Sequence, residues 1–153
     1  EDSSNRDPRF TRARLRSAMP TLAREGLAPG RLALLARRAR RADEALETAV
    51  AQAAARLAPG PWPEHGPIAF PAGGYAELPG EIALRLLGRA IDRVGNEGPV
   101  ELAKLENLHA ELSAGRSGVR FRRTLAGALI TRAPDCLFVE RAPARRGIAS
   151  KRP

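Results

Sequence analysis

Residues 29–60 read PGRLALLARRARRADEALETAVAQAAARLAPG, and the reading of this stretch decides the fold. Proline stands at Pro29 and Pro59 and nowhere between them, while the interior is built from Ala, Leu, Arg, Glu and Gln, all strong helix formers. At about 100° per residue, Leu32, Leu35, Ala39, Ala42, Leu46, Val50, Ala53 and Leu57 fall on one stripe. Arg37, Arg38, Arg40 and Arg41 fall on the opposite arc, and Leu34 is the exception on the polar side. Such a helix spans on the order of 40 Å at about 1.5 Å per residue, more than one compact lobe needs. The spacing predicts a long linker helix over 27–58, a strut that joins an N-terminal piece to a C-terminal piece and carries an arginine face between them.

Upstream, Glu1 to Asn5 has loop chemistry, with Asp7 placed to cap a helix and Pro8 at its first position. Residues 9–26, RFTRARLRSAMPTLAREG, hold a partial apolar face of Phe10, Ala13, Leu15, Ala18 and Leu22, with Arg9, Arg12, Arg14 and Arg16 projecting elsewhere. Pro20 starts a new turn or kinks this helix, and Gly26 ends it. Downstream, residues 58–67 (APGPWPEHGP) form a Pro/Gly hinge. Residues 68–78, IAFPAGGYAEL, read as a β-hairpin from Ile68 to Phe70 and from Tyr75 to Leu78 around Pro-Ala-Gly-Gly.

A helix then begins near Pro79-Gly80 with Ile82, Leu86, Leu87, Ala90, Ile91 and Val94 inward and Gly95 as its stop. Another runs from about Pro99 to Ala114 with Leu102, Leu105, Leu108 and Leu112 on one face, and Gly115 and Gly118 mark its exit. The last third changes period from 3.6 to 2. Val119 and Phe121 alternate with Arg120 and Arg122, followed by Ala128 to Arg132, a Pro134-Asp135 turn and Leu137 to Arg141, a short antiparallel meander. Residues 143–153 lack periodicity and read as a flexible basic tail. The fold class expected is α+β, predominantly α-helical: a long linker helix plus a small helical domain with a hairpin and a meander.

The chain has 153 residues and a formal charge of +9. Residues 1–58 hold 12 basic and 7 acidic residues, residues 59–112 hold 4 and 8, and residues 113–153 hold 10 and 2. Two basic ends flank an acidic middle, which points to a polyanionic partner. Of the 26 basic residues 24 are arginine, which suits phosphate recognition; an Arg-for-Lys bias of the genome accounts equally for that ratio but not for the segregation. No run of about 18 apolar residues is present, so no membrane span is expected. No signal peptide is recognisable, and the single cysteine, Cys136, excludes an internal disulfide and a cysteine zinc site. A reducing, cytoplasmic setting is the simple reading.

Residues 1–22, EDSSNRDPRFTRARLRSAMPTL, resemble the segment that closes the catalytic domain of bacterial tRNA(Ile)-lysidine synthases, through Asp2, Ser4, Asn5, Phe10, Arg12, Leu15, Arg16, Pro20 and Leu22. Ala13 departs from the family, which often carries Asn there. RTLAGALITRAPDCLFVERAPA (residues 123–144) resembles the family's short β segment. The resemblance implies an enzyme that joins lysine to the wobble cytidine of the CAU anticodon of tRNA(Ile) in an ATP-dependent ligation, changing codon reading from AUG to AUA. The family's nucleotide loop, S-G-G-x-D-S, is absent, the nearest stretch being Ala72-Gly73-Gly74-Tyr75.

The resemblance therefore implies a C-terminal fragment, inactive alone, without the ATP-pyrophosphatase P-loop and with more protein expected upstream. Residues 1–26 would end the catalytic domain, 27–58 form the linker and 59–142 the tRNA-binding domain. No cofactor is expected in this fragment; ATP, magnesium and lysine belong to the missing domain.

The expected tRNA contacts are Arg12 and Arg16, one helical turn apart and placed by the resemblance near the upstream active site; Arg37, Arg38, Arg40 and Arg41, whose guanidinium groups fork onto phosphate; and Arg120, Arg122 and Arg123, cations on or beside one strand. The plainer alternatives are a salt bridge from Arg12 or Arg16 to Asp2 or Asp7, a solvated helix face neutralised by Asp43, Glu44 and Glu47, and an edge strand guarded by charge. Asp2 and Asn5 read as loop caps. His65 and His109 read as surface or packed histidines and Cys136 as a small core residue. Trp62, Tyr75, Phe121 and Phe138 read as core aromatics before base-stacking ones. No nucleophile–base–orienter set is present, so no catalytic residue is assigned. A competing reading is a helical dimerisation module with a basic surface, using Leu32, Ala39, Leu46 and Ala53 as the seam. A sequence-specific DNA binder is a weaker third, because no helix-turn-helix spacing is recognisable.

Overall fold

The computed structural model describes residues 11–63, 66–114 and 121–143. The expectations placed on Asp2, Ser4, Asn5, Asp7, Pro8, Arg9, Phe10, His65, Gly115, Gly118, Val119 and Arg120, and on the tail from residue 144, lie outside the described residues. The elements in order are α1 (Thr11–Arg24), α2 (Pro29–Leu57), β1 (Ile68–Pro71), α3 (Ala72–Ala76), α4 (Gly80–Val94), α5 (Leu102–Ala114), β2 (Phe121–Leu125), β3 (Ala128–Arg132) and β4 (Cys136–Arg141). The fold is α+β and mainly helical, as the periodicity predicts. The chain divides into two compact units, Glu1–Leu46 and Glu47–Pro153, with the boundary inside α2.

In the N-terminal unit, α1 runs through Pro20 without ending there and contains no buried residue. It closes with Leu27 N–H donating to the Leu22 carbonyl at 2.8 Å and Gly26 N–H to Ala23 at 3.1 Å, the paired bonds of a Schellman cap. The long helix forms over Pro29–Leu57 as expected. Its apolar stripe has two fates: Leu35 is 62% exposed, whereas Val50 and Ala53, in the C-terminal unit, are buried. A dimer seam through Leu32, Ala39, Leu46 and Ala53 would have to open that core to use Ala53.

In the C-terminal unit, α4 buries Ile82, Leu86, Leu87, Ala90, Ile91 and Val94, the six positions its 3.6-residue period selects. Leu105, Leu108 and Leu112 of α5 are buried too, but Leu102 is 62% exposed, because it is the first residue of the helix. Gly88 lets the two helices approach: a Cβ there would stand 3.0 Å from Leu105 Cδ2. The helices cover one face of a four-stranded antiparallel sheet ordered β1-β4-β3-β2. On that face Ile68, Val139 and Ile130 form a closed ladder row.

The meander β2–β3–β4 is the one the sequence predicts. Its first turn, Ala126-Gly127, has φ of 50° and 78°, the two positive values of a type I′ turn. The Ala126 carbonyl accepts Asn96 N–H at 3.2 Å and Glu97 N–H at 3.3 Å, which pins the turn to the end of α4.

The predicted 68–78 hairpin does not form. β1 pairs with β4 in the register Ile68↔Val139 to Pro71↔Cys136, and residues 72–76 wind into α3. The hydrogen-bonding partner of β1 is thus already supplied, and Ala72 N–H instead donates to the Asp135 carbonyl at 2.9 Å. Winding carries Tyr75 into the core, where its ring lies 6.3 Å from Phe70 and 6.2 Å from His109. Trp62 packs edge-on to Phe70 at 6.0 Å.

Candidate nucleic-acid interface

Arg37, Arg38, Arg40 and Arg41 are all exposed on α2, spaced so that one helical surface carries them. None forms an ion pair among the described residues. Arg37, Arg40 and Arg41, with Leu34 and Ala36, line an open concavity of about 550 Å³. Glu47, read from sequence as a neutraliser of this cluster, is engaged elsewhere. Its carboxylate takes Arg85 Nη1 at 2.8 Å and also Arg89, both on α4, and Arg85 Nε reaches Glu81 at 2.6 Å. The hydrogen bonds from Arg85 and Arg89 hold the Glu47 carboxyl below its ordinary pKa. These two arginines belong to the domain scaffold, and only the i,i+4 spacing of Glu81 and Arg85 signals part of that network in the sequence.

Arg12 and Arg16 are exposed on α1. Between them Arg14 turns back on its own helix, with Nη2 donating to Thr11 Oγ1 at 3.2 Å.

The strand arginines separate. Arg122 and Arg123 are adjacent in β2, so the two-residue period of a strand sends them to opposite faces. Arg123 shares the helix-covered side with Phe121: its Nε donates to Glu111 Oε2 at 3.1 Å, and its guanidinium lies 5.4 Å from the Phe121 ring centroid. Arg122 stands on the other face, where the ladder places it beside Thr131 and then Phe138. There it lines an open cleft of about 390 Å³ with Thr124, Leu129, Asn96 and Glu97, a cleft that Arg123 also borders. Phe138 is half-buried on that outer face, while Tyr75 is a core residue.

No protein-family model matches the chain. A tRNA(Ile)-lysidine synthase of Bradyrhizobium sp. (strain BTAi1) is 47% identical over 163 aligned positions that cover 95% of this chain and 45% of the relative. The chain is homologous to the C-terminal part of tRNA(Ile)-lysidine synthases. A second such relative, from Bradyrhizobium diazoefficiens, is 44% identical over 95% of the chain and 45% of its own length. A third, from Rhodopseudomonas palustris, is 44% identical over 95% of the chain and 44% of its own length. The chain thus spans less than half the length of the lysidine synthase relatives it matches.

The stretch nearest in sequence to a nucleotide loop does not form one. Ala72-Gly73-Gly74-Tyr75 lies within α3 with Ala72 and Tyr75 buried. Gly74 is there for close packing, since a Cβ would meet Leu57 Cδ2 at 2.6 Å. Cys136 opens β4 half-buried, and its surroundings raise the thiol pKa chiefly through burial. Among the described residues no three His, Cys, Asp or Glu side chains gather as a metal site, and no helix is long and apolar enough to cross a membrane.

Proposed function

We propose that the chain is the tRNA-binding part of a cytoplasmic, ATP-dependent tRNA(Ile)-lysidine synthase that joins lysine to the wobble cytidine of the CAU anticodon. The observation that carries this reading is similarity over 95% of the chain to relatives of that name, at 44–47% identity. ATP, magnesium and lysine are assigned to the part of the relatives that lies outside the matched region. Within the chain, residues 1–26 complete the catalytic domain, 27–58 link it to the rest, 59–142 bind tRNA and 143–153 add a basic tail. The guanidinium groups of Arg37, Arg38, Arg40 and Arg41 hold phosphate oxygens, a role favoured by their exposure and by the absence of ion pairs to them among the described residues. Arg122 acts from the outer sheet face, and Arg12 and Arg16 act close to the catalytic half. Arg123 contributes more weakly, because binding RNA would compete with Glu111. Arg120 completes the set.

The test is tRNA binding across a salt series. The chain is expected to bind with a log–log slope of roughly −0.7 to −0.9 per phosphate neutralised. Replacing Arg37, Arg38, Arg40 and Arg41 by Ala is expected to weaken binding at least about tenfold and flatten that slope by up to about three or four units. An unchanged slope removes this helix from the interface.

A further inference from the structure

The C-terminal unit contains a cavity of about 180 Å³ walled in part by Tyr75, Leu78, Gly80, His109, Ser113 and Arg132. A hydrogen-bond count sets its chemistry. The Tyr75 hydroxyl has one proton and donates it to the Ala83 carbonyl at 3.1 Å, a group that can only accept. The same oxygen lies 3.2 Å from His109 Nδ1, and both contacts are hydrogen bonds at once only when the imidazole proton sits on Nδ1 and is donated to Tyr75. In the neutral ring Nε2 is then a bare acceptor, and no described residue bonds to it. Burial lowers the His109 pKa, which keeps the ring neutral near pH 7.

Beside it, Ser113 Oγ donates its proton to the His109 carbonyl at 2.9 Å and keeps its lone pairs as acceptors. Arg132 is anchored by Nη1 on the Leu112 carbonyl at 2.6 Å and places a cation at the wall. A cavity of about 150 Å³ admits benzene, so this one has room for a single heteroaromatic base.

We propose that the cavity takes one unstacked nucleobase with an amino group at the purine 6 or pyrimidine 4 position, adenine or cytosine, from a single-stranded part of bound RNA. The amino group donates to His109 Nε2, and the ring lies against Leu78 and Tyr75. Uracil, guanine and hypoxanthine present a carbonyl oxygen in place of that amino group, so in the same pose an acceptor would face an acceptor. The inference rests on the RNA-binding reading above and adds to it an element that distinguishes bases.

The experiment is titration of the full chain with AMP, CMP, UMP and IMP, followed by NMR, alongside tRNA binding on the same samples. AMP and CMP are expected to bind at least about tenfold more tightly than IMP and UMP. Gly80 is an exposed residue at the rim of the cavity, and a Cβ there meets nothing within 4 Å, so Gly80→Leu adds bulk at the rim without displacing the wall. It is expected to abolish AMP binding with the unfolding midpoint unchanged. His109→Phe keeps a ring without the acceptor and is expected to erase the preference for AMP over IMP. No AMP binding, equal binding of AMP and IMP, or wild-type AMP binding by Gly80→Leu overturns the proposal. If tRNA still binds in that case, the pocket alone is wrong; if AMP is preferred but tRNA does not bind, the RNA-binding reading is what fails.

Discussion

The two portions of α2 make an instructive pair. From Pro29 to Leu46 the helix holds Leu35 at 62% exposure and four exposed arginines, and none of its residues is buried. From Glu47 to Leu57 it buries Val50 and Ala53, while Glu47 is forked between Arg85 and Arg89. The apolar stripe is written with the same period in both. What differs is the partner that each portion meets within its own unit. Periodicity specifies which side of a helix is able to be buried; only a packed neighbour makes that burial contribute to stability. The first portion is held chiefly by backbone hydrogen bonds and good helix formers, and its four exposed arginines stay available for a partner. The second belongs to a core.

The largest expected effect sharpens this contrast. Leu86 is fully buried in the C-terminal unit, and Leu86→Ala is expected to cost about 3 kcal/mol. Leu35→Ala should change stability by less than about 0.5 kcal/mol. Urea unfolding of both variants measures the difference, and equal losses would mean that the first portion of α2 is packed as tightly as the core of the C-terminal unit.

A smaller effect is expected at the β2–β3 turn. Gly127 has φ of 78°, and a Cβ there would crowd Asn96 N at 2.8 Å. Gly127→Ala should cost about 1–2 kcal/mol, whereas Gly30→Ala, an open position on α2, should be neutral or slightly stabilising. Thermal unfolding compares them, and a harmless Gly127→Ala would mean that the turn is not pinned to the end of α4.

The smallest effect is at the boundary itself. Glu47 is half-exposed, so Glu47→Gln should cost no more than about 1 kcal/mol at neutral pH. The folded-state pKa of Glu47 is depressed, so its contribution is present above the ordinary carboxylate value and disappears as pH falls through the folded value. Wild type and variant should therefore converge in stability at acid pH; a gap that persists there would assign the loss to packing instead of charge.

Local rules of spacing and capping suffice for much of this chain. The limits of α2, the inward face of α4, the stop at Gly26 and the β2–β3–β4 meander all follow from proline placement, a 3.6- or 2-residue period and turn chemistry, because each is decided within a few residues. The lysidine synthase resemblance was likewise carried by motifs readable in order along the chain. Tertiary structure alone decided the rest. It gave β1 to β4 and wound Tyr75 into the core in place of a hairpin, since strand pairing depends on an edge contributed from more than 60 residues away. It drew Glu47 to α4, sent Arg122 and Arg123 to opposite faces with only one of them on Glu111, and set a hydroxyl from another helix 3.2 Å from His109 Nδ1. Such pairings have no local signature, because the atoms that satisfy a charge or a donor lie far away in sequence and meet only when the core closes.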